Sequence, residues 1–256
     1  MQRALCAEFP TRSGLFDRRA TPAKGGQMAP QTATRAAMMS VRVPVGRQWL
    51  DGDLAIPARA QGIVLFAHGS GSSRRSPRNQ FVARALERRG LATLLIDLLT
   101  PAEEAIDDQT SEFRFDLMML AERLVEIVAW LRQNPDTKEL PIGIFGASTG
   151  GGAALMAAAA RPDDIVTVVS RGGRPDLAGQ ALRHVFAPTM LIVGGLDTPV
   201  IQMNRDAMDQ MGPDVVLEIV PGATHLFPEP GALERVAELA ATWFAERLKP
   251  GNGREQ

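Results

Sequence analysis

The fold of this chain is decided by residues 142–152, which read IGIFGASTGGG. The apolar residues 142–145 predict a buried strand, and the Ala-rich residues 153–160 predict a helix. Between them stands the pattern Gly-x-Ser-x-Gly, in which a sharp strand-to-helix turn holds Ser148 in a strained backbone conformation. Glycine at both ends of the pattern removes side chains that would collide in the turn. The pattern predicts that Ser148 is a nucleophile; the alternative is a glycine-rich turn that only packs or that binds a phosphate.

The chain from Val41 onward alternates between strand and helix patterns. Strand-like runs occur at Val41–Val45, Leu50–Ile56, Ile63–Ala67, Ala92–Leu98, Ile142–Phe145, Ile165–Val169, Met190–Val193 and Val215–Val220. Helical patterns occur at Arg78–Arg89, Ser111–Gln133, Ser148–Ala160, Val200–Met211 and Leu233–Leu248. The first two runs predict an antiparallel hairpin. The regular alternation predicts an α/β fold with a mainly parallel eight-stranded sheet flanked by helices on both faces. Ligands of such sheets bind beyond the carboxyl ends of the strands.

Composition and charge exclude several classes of function. Hydrophobic residues make up 45% of the 256 and the formal net charge is −1, so no overall field favours nucleic acid or an anionic membrane. One cysteine and three histidines form no metal-ligand pattern, and we expect neither a metal nor another cofactor. No apolar run approaches the roughly 18 residues of a membrane span. We expect a cytoplasmic protein with a small-molecule substrate, either a monomer or a small homo-oligomer.

The two ends of the chain differ in composition from the middle. Residues 1–40 are basic and poor in acids and show no persistent periodicity, which predicts a disordered N-terminal extension. An upstream start codon, with translation beginning near Met28, Met38 or Met39, explains the same composition, and an organellar transit peptide is a further reading. We predict one α/β domain over residues 41–248 and a flexible tail over residues 249–256.

A nucleophilic serine needs a general base, and the chain offers His68, His184 and His225. His225 follows the last strand pattern within the turn-rich residues 221–225, which places it at the same edge of a parallel sheet as Ser148. His184 lies in a polar, helix-like segment that is typical of a surface. His68 directly follows the third strand pattern, where we expect it to hold a loop by hydrogen bonding. Position therefore selects His225 as the base.

The acid that orients the histidine is also expected directly after a strand. Asp197 is the first carboxylate after the run Met190–Val193. Its role is to accept the imidazole N–H, fix the tautomer and stabilise the imidazolium. The alternative is that Asp197 caps the following helix, because Asp followed closely by Pro is common at helix starts. Asp176 and Asp97 are the competing acids.

The residues 68–73, HGSGSS, directly follow the strand pattern Ile63–Ala67. Acyl transfer needs N–H donors for the oxyanion, and one comes from the residue after the nucleophile, here Thr149. The loop after the third strand supplies the other, with Ser70 as the preferred donor and Gly71 as the second choice. Glycine neighbours allow the backbone N–H to turn inward without steric conflict. The alternative is a plain surface turn.

These motifs resemble the α/β-hydrolase superfamily and, within it, the dienelactone-hydrolase-like branch. The chain order serine, aspartate, histidine is the order found in that fold. The nearest likeness is to hydrolase domains that occur alone or fused behind a phosphoribosyltransferase, and the sequence SRGGRP at 170–175 adds to it. The resemblance covers Val41 to Leu248. It implies an α/β-hydrolase fold, a Ser-His-Asp triad, and an oxyanion hole formed by Thr149 and the loop at Ser70.

The chain departs from dienelactone hydrolase itself in two respects. That enzyme uses a cysteine nucleophile and has an acidic residue in its oxyanion loop, whereas this chain has Ser148 and a Gly/Ser loop. These departures point away from dienelactone as the substrate. No phosphoribosyltransferase segment accompanies the hydrolase motifs, so no phosphoribosyl chemistry is expected.

The residues after the sixth strand pattern bear on the substrate. Only about 20 residues separate Val169 from Met190, too few for an inserted cap domain, which predicts a shallow and open site. Arg171 and Arg174 follow that strand and are candidates for binding a carboxylate or phosphate of the substrate. The alternative is a salt bridge to Asp176 or another nearby carboxylate.

The sequence therefore predicts a serine hydrolase that cleaves a small ester, thioester or lactone through an acyl-enzyme. A peptidase and an acyltransferase use the same triad and are the alternatives within that chemistry. From a different class, the alternative is a catalytically silent ligand-binding protein that has kept the fold. Silent members usually lose a triad residue, and none is missing from this sequence.

Overall fold

A computed structural model of the protein describes residues 37–212 and 214–249. Within them the strands are β1 Met38–Val45, β2 Gln48–Ala55, β3 Ile63–Ala67, β4 Ala92–Ile96, β5 Ile142–Ala147, β6 Ile165–Arg171, β7 Thr189–Gly194 and β8 Val215–Val220. The helices are α1 Pro77–Arg88, α2 Pro101–Thr110, α3 Leu117–Gln133, α4 Thr149–Ala160, α5 Thr198–Met208 and α6 Ala232–Arg247. A 3₁₀ helix, Pro175–His184, lies between β6 and β7.

The strands form one sheet in the order β1-β2-β4-β3-β5-β6-β7-β8. Strands β3 to β8 pair in parallel, and β2 pairs antiparallel with both β1 and β4. The predicted mainly parallel, eight-stranded α/β-hydrolase sheet and its antiparallel hairpin are therefore confirmed. The carboxyl ends of β5, β6, β7 and β8 meet at one edge, because these four strands are consecutive neighbours in the sheet.

The apolar strand runs arise because the sheet is buried on both faces. In β3, Leu65 packs into a cluster with residues of α3 and α4, while Phe66 packs into a second cluster with residues of α1 and α6. Both side chains are almost fully buried. Strands covered on both faces are continuously hydrophobic and do not alternate with polar residues. The sheet therefore presents only its edges and strand ends to solvent.

The helical pattern predicted from Ser111 was wrong at its start. Ser111 has a φ of 59° and ends α2 in a left-handed conformation, and α3 begins only at Leu117, after Asp116 accepts the Met119 N–H. The intervening turn is held by the buried carboxylate of Asp107. Helix α2 itself was missed, although Thr100 and the residues after it carry a capping-box pattern that marks a helix start.

The ends of the domain are only partly covered by the structure. Strand β1 begins at Met38 rather than Val41, and Met38 pairs with Ala55. Residues 1–36 and 250–256, most of the predicted extension and tail, lie outside the described residues, so both boundaries remain predictions. Between β6 and β7 the chain forms only the 3₁₀ helix and its short links, as the predicted absence of a cap domain requires. In the described part of the chain, no helix is both long and apolar enough to span a membrane.

Candidate active site

Ser148 occupies the turn between β5 and α4 with a strained backbone. Its φ is 52° and its ψ is −121°, a combination that side-chain-bearing residues rarely adopt. The turn is held from two sides: the Ser148 N–H donates to the Arg171 carbonyl oxygen at 3.2 Å, and the Ser148 carbonyl oxygen accepts the Arg174 N–H at 3.1 Å. These bonds hold the backbone of Ser148 at the end of β5, a central strand, where the sequence pattern predicts the residue.

Glycine is required on both sides of this turn. A Cβ at Gly146 would lie 2.6 Å from the Gly150 carbonyl oxygen, and a Cβ at Gly150 would lie 2.3 Å from the Ala67 carbonyl oxygen. Both distances are shorter than any stable contact allows. The close approach places the first turn of α4 directly against the end of β3, so the loop that follows β3 reaches the Ser148 side chain.

His225 and Asp197 meet at the same edge of the sheet. Nδ1 of His225 lies 2.7 Å from Oδ2 of Asp197, and the two side chains are 38% and 14% exposed. Asp197 stands at the cap position of α5, yet its carboxylate makes no capping hydrogen bond. The structure thus resolves the alternative left open by the sequence: the carboxylate contacts the histidine and does not cap the helix.

The loops that carry these two residues are joined through their backbones. The Leu196 N–H donates to the Ala223 carbonyl oxygen at 2.9 Å, and the Asp197 N–H donates to the Gly194 carbonyl oxygen at 3.0 Å. A Cβ at Gly194 would lie 2.5 Å from the Ala223 carbonyl oxygen. This tight contact of the β7 and β8 ends sets the spacing between the carboxylate and the imidazole.

Gly172 lies between the serine turn and the histidine. It follows Arg171, whose carbonyl oxygen holds the Ser148 N–H. A Cβ at Gly172 would lie 3.1 Å from the His225 carbonyl oxygen and 3.5 Å from two atoms of the imidazole ring. Its φ is 52°, in the left-handed region that favours glycine. The residue therefore lets the imidazole approach the strand end that supports Ser148.

The loop after β3 touches Ser148 and contacts Thr149. A Cβ at Gly69 would lie 3.0 Å from the Ser148 Cβ. The Ser70 N–H, the preferred second oxyanion donor, already donates to Oγ1 of Thr149 at 2.9 Å. Among the described residues, the backbone N–H of Thr149 has no acceptor outside α4, as expected for the first residue of a helix. The hydroxyl of Thr149 is a polar group of the site that the sequence analysis missed.

His68 holds the same loop from beneath. Its Nε2 accepts the Leu98 N–H at 2.9 Å, and its Nδ1 lies 3.0 Å from the Gly69 carbonyl oxygen. Acceptance at Nε2 places the ring proton on Nδ1, which therefore donates to Gly69. Burial lowers the pKa of His68 below its ordinary value, so the ring is neutral. These contacts match the loop-holding role predicted for His68.

A cleft of about 460 Å³, measured with its open mouth, lies beside Ser70 and Thr149. Helix α2 and the turn after it form its far wall, and Arg114 is held there by Asp107. Burial alone raises the pKa of Asp107, but hydrogen bonds from Arg114 and Phe113 outweigh it and leave the pKa below its ordinary value. Gly71 borders this cleft, and a Cβ there would meet only the Arg114 side chain, at 3.7 Å.

The two candidate substrate-binding arginines have different surroundings. Arg174 donates two hydrogen bonds to Asp176, at 2.8 and 2.7 Å, which raise its pKa. This is the salt-bridge alternative, and it also removes Asp176 as a competitor for the histidine. Arg171 is only 7% exposed, and its guanidinium lies 6.0 Å from the Phe227 ring centroid. The third acid, Asp97, pairs with Arg74.

Comparison with known proteins identifies the fold family. A family model described as the dienelactone hydrolase family matches residues 50–248. The chain resembles a dienelactone hydrolase from Anabaena variabilis, known from a crystal structure, with 60% identity and a TM-score of 0.83, over 84% of this chain and 100% of that one. It shares its fold with Est1E from Butyrivibrio proteoclasticus, at 16% identity and a TM-score of 0.67, over 81% and 98% of the two chains.

Curated relatives come from two strains of Mycobacterium tuberculosis, under names that assign them provisionally as phosphoribosyl transferases. Each is 53% identical over 208 residues, which are 81% of this chain and 46% of the relative. The chain therefore spans about half the length of these relatives, which agrees with the resemblance to hydrolase domains joined to phosphoribosyltransferases. The chain belongs to the dienelactone hydrolase family.

Proposed function

We propose that the protein is a serine esterase in which Ser148 is the nucleophile, His225 the general base and Asp197 the residue that orients the histidine. The observation that carries this proposal is the 2.7 Å contact between Asp197 and His225 at the sheet edge where Ser148 has a φ of 52°. A strained serine beside an oriented imidazole is the arrangement that acyl transfer requires.

The reaction follows from the hydrogen-bond directions. With Nδ1–H of His225 donated to Asp197, the lone pair of Nε2 accepts the Ser148 hydroxyl proton as Oγ adds to the ester carbonyl carbon. The tetrahedral intermediate then collapses, the C–O bond to the alcohol breaks, and the alcohol leaves with the proton from His225. Water attacks the acyl-enzyme by the same steps, with His225 taking a proton from water and returning it to Ser148.

The negative charge on the carbonyl oxygen is stabilised beside the first turn of α4. Thr149 supplies its backbone N–H, which is without an acceptor outside the helix among the described residues. The second donor is the Thr149 hydroxyl, and not the Ser70 N–H that the sequence analysis preferred. Because the Ser70 N–H donates to Thr149 Oγ1 at 2.9 Å, the Thr149 hydroxyl keeps its own proton free to donate. Ser70 therefore acts through the polarised hydroxyl of Thr149.

The substrate class is a small ester, thioester or lactone. Among the described residues no cap domain covers the catalytic edge, and a small cleft open to solvent adjoins it beside Ser70 and Thr149. An open, shallow site of this kind suits a compact or exposed ester. The name of the 60% identical relative refers to dienelactone hydrolysis. Because Ser148 stands where dienelactone hydrolase itself uses a cysteine, we propose a small ester other than dienelactone as the substrate. Phosphoribosyl transfer, the activity in the names of the longer relatives, is not proposed for the matched hydrolase residues.

The test uses activated short-chain esters and a covalent probe. We expect the purified protein to hydrolyse 4-nitrophenyl esters, and Ser148→Ala to lower kcat at least about 10⁴-fold while remaining folded. A fluorophosphonate should label Ser148 in the parent, which mass spectrometry of peptides locates. Ser40→Ala, a change at an exposed serine of β1, is the matched control and should keep full activity. Turnover by the folded Ser148→Ala variant at the parent rate contradicts the proposal.

A further inference from the structure

Two arginines beside the candidate active site carry guanidinium nitrogens that are buried without an acceptor. Arg171 is 7% exposed, and both its Nε and its Nη1 are buried without a hydrogen-bond partner. The Nε of Arg78 is also buried without a hydrogen-bond partner. Among the described residues, neither side chain forms an ion pair with a carboxylate. Arg123, the other buried arginine among the described residues, does pair with a carboxylate, that of Glu103.

The two side chains lie on the same side of the sheet. Arg171 points to the face that carries Val169, two residues earlier in β6, because alternate strand residues share a face. Arg78 precedes Val82 by one turn of α1, so the two share a helix face. Val169, Val82 and Phe227 belong to one buried cluster. The guanidinium of Arg171 lies 6.0 Å from the Phe227 ring centroid, at the top of that cluster.

The positive charges of Arg78 and Arg171 repel each other. Burial, and after it the charge of Arg78, lowers the pKa of Arg171 to about 10, so Arg171 is still cationic at neutral pH. Arg78 also lies in the first turn of α1, which contains no acidic residue. The N-terminus of a helix carries a partial positive charge and favours anions over cations. Two guanidinium groups and the positive N-terminal end of α1 therefore lie close together. At such a buried position an acidic or an apolar side chain would be more favourable.

We propose that Arg78 and Arg171 bind a phosphate group, as found in phosphate monoesters, beside the catalytic centre. A phosphate carries a charge near −2 at neutral pH and matches two guanidinium groups, whereas a monocarboxylate neutralises only one. Guanidinium groups bind phosphate oxygens through paired N–H donors, which supplies the missing acceptors. The sequence alone indicates a solvated turn for Arg74, Arg75 and Arg78, whereas the structure buries the Nε of Arg78.

The site adjoins the proposed catalytic residues through short backbone links. The Arg171 carbonyl oxygen accepts the Ser148 N–H at 3.2 Å, and Phe227 follows His225 by two positions in the same loop. A phosphate carried by the ester would therefore be held while its carbonyl reaches Ser148. This substrate assignment rests on the proposed function, but phosphate binding itself does not, since it requires no hydrolysis.

Binding is tested with inorganic phosphate on the full chain by calorimetry and thermal unfolding, against chloride at equal ionic strength. We expect saturable binding and a rise in Tm of about 3 °C at ten times Kd. Arg171→Gln and Arg78→Gln should each weaken phosphate binding at least tenfold. Arg75→Gln, at an exposed arginine two residues before α1, should leave Kd unchanged. In Ser148→Ala, phosphate should bind as in the parent, which separates this site from hydrolytic activity.

A second readout distinguishes binding from a structural role. Without phosphate, Arg171→Gln should raise Tm or leave it unchanged, because it removes a buried charge that lacks a partner. A fall of several degrees, together with unchanged phosphate affinity in Arg78→Gln, means that the arginines are structural and overturns the proposal. The proposal also fails if phosphate does not bind, or if acetate binds as tightly as phosphate.

Kinetics identify the source of the phosphate. If the substrate carries it, an ester with a terminal phosphate should have a KM at least tenfold lower than its hydroxyl analogue, and inorganic phosphate should inhibit competitively. If inorganic phosphate binds as a separate effector, the two esters should have equal KM values and phosphate should not compete. Both outcomes require the Arg78 and Arg171 site, and loss of either effect in Arg75→Gln alone contradicts it.

Discussion

The backbone N–H of Ser70 donates a hydrogen bond of 2.9 Å to Oγ1 of Thr149, the residue that follows Ser148. A hydroxyl that accepts this bond has one proton left to donate, and the side chain of Thr149 is buried at 4% exposure between the two segments. The contact thus joins the loop after β3 to the first turn of α4, at the proposed oxyanion site. Its consequence is a specific role for the Thr149 hydroxyl.

Thr149→Val keeps the shape of the side chain and removes its hydroxyl. If the hydroxyl donates to the oxyanion, kcat for an activated ester should fall about 10²-fold or more, the usual effect of losing one such donor. Thr149→Ser keeps the hydroxyl and should retain kcat within about tenfold. Steady-state kinetics on both variants give the comparison. If the hydroxyl only blocks the Ser70 N–H, Thr149→Val instead keeps or raises kcat, and the proposed role is wrong.

Gly172→Ala tests whether this glycine spaces His225. The added Cβ would contact the histidine backbone at 3.1 Å and occupy a φ of 52°. Gly179→Ala is the matched control, because Gly179 has a φ of 51° and open space around its Cβ position. Both variants should lose about 1 kcal/mol of stability from the left-handed backbone. Only Gly172→Ala should also lose kcat/KM, by about tenfold or more; equal activity in the two variants contradicts the spacing role.

Glu103→Gln tests the buried ion pair that anchors α2. Burial alone raises the pKa of Glu103, but hydrogen bonds from Arg123 and Thr100 outweigh it and hold the pKa below its ordinary value. The pair therefore stabilises the fold fully above the unfolded-state pKa, near 4.3, and this contribution disappears as pH falls through the lower folded-state pKa. Denaturant unfolding should show Glu103→Gln less stable by about 3 kcal/mol at pH 7.

The difference between Glu103→Gln and the parent should shrink as pH falls below about 4, because protonation removes the same charge from the parent. Glu104→Gln changes the exposed neighbouring glutamate and should stay within about 0.5 kcal/mol of the parent at every pH. A constant difference between Glu103→Gln and the parent across this range means that the pair contributes through packing and not through charge.

A chain that begins at Met38 tests the domain boundary. Met38 is the first residue of β1 and pairs with Ala55 of β2. If the preceding residues form the predicted extension, the shortened chain should unfold within about one degree of the full chain, because terminal segments affect stability only when they pack. Differential scanning calorimetry of both chains provides the measurement. A fall of several degrees contradicts the predicted extension.

The fold was predictable because its signals are local. Runs such as Ile63–Ala67 are apolar throughout, and β3 has the bounds that the sequence analysis gave it. The helix boundary at Ser111 was not predictable from hydrophobic spacing, since the periodicity of α3 extends back through Phe113. In the structure the backbone N–H groups of Phe113 and Arg114 donate hydrogen bonds to the Asp107 carboxylate, at 2.8 and 2.9 Å, and do not form helical hydrogen bonds. Such a local hydrogen bond outweighs a weak helical preference.

The sequence by itself determined which residues stand at strand ends: Ser148, Asp197 and His225 each follow an apolar run and precede or occupy a turn. This is possible because parallel strands bring their carboxyl ends to one edge, whatever the details of packing. Side-chain partners were decided only by the tertiary structure. Asp197 contacts His225 rather than capping α5, Arg174 pairs with Asp176, and the Ser70 N–H donates to Thr149. The contacts Asp197–His225 and Ser70–Thr149 join segments far apart in the chain, which no local pattern encodes. The Arg174–Asp176 pair is local, but it depends on side-chain positions that the sequence leaves open.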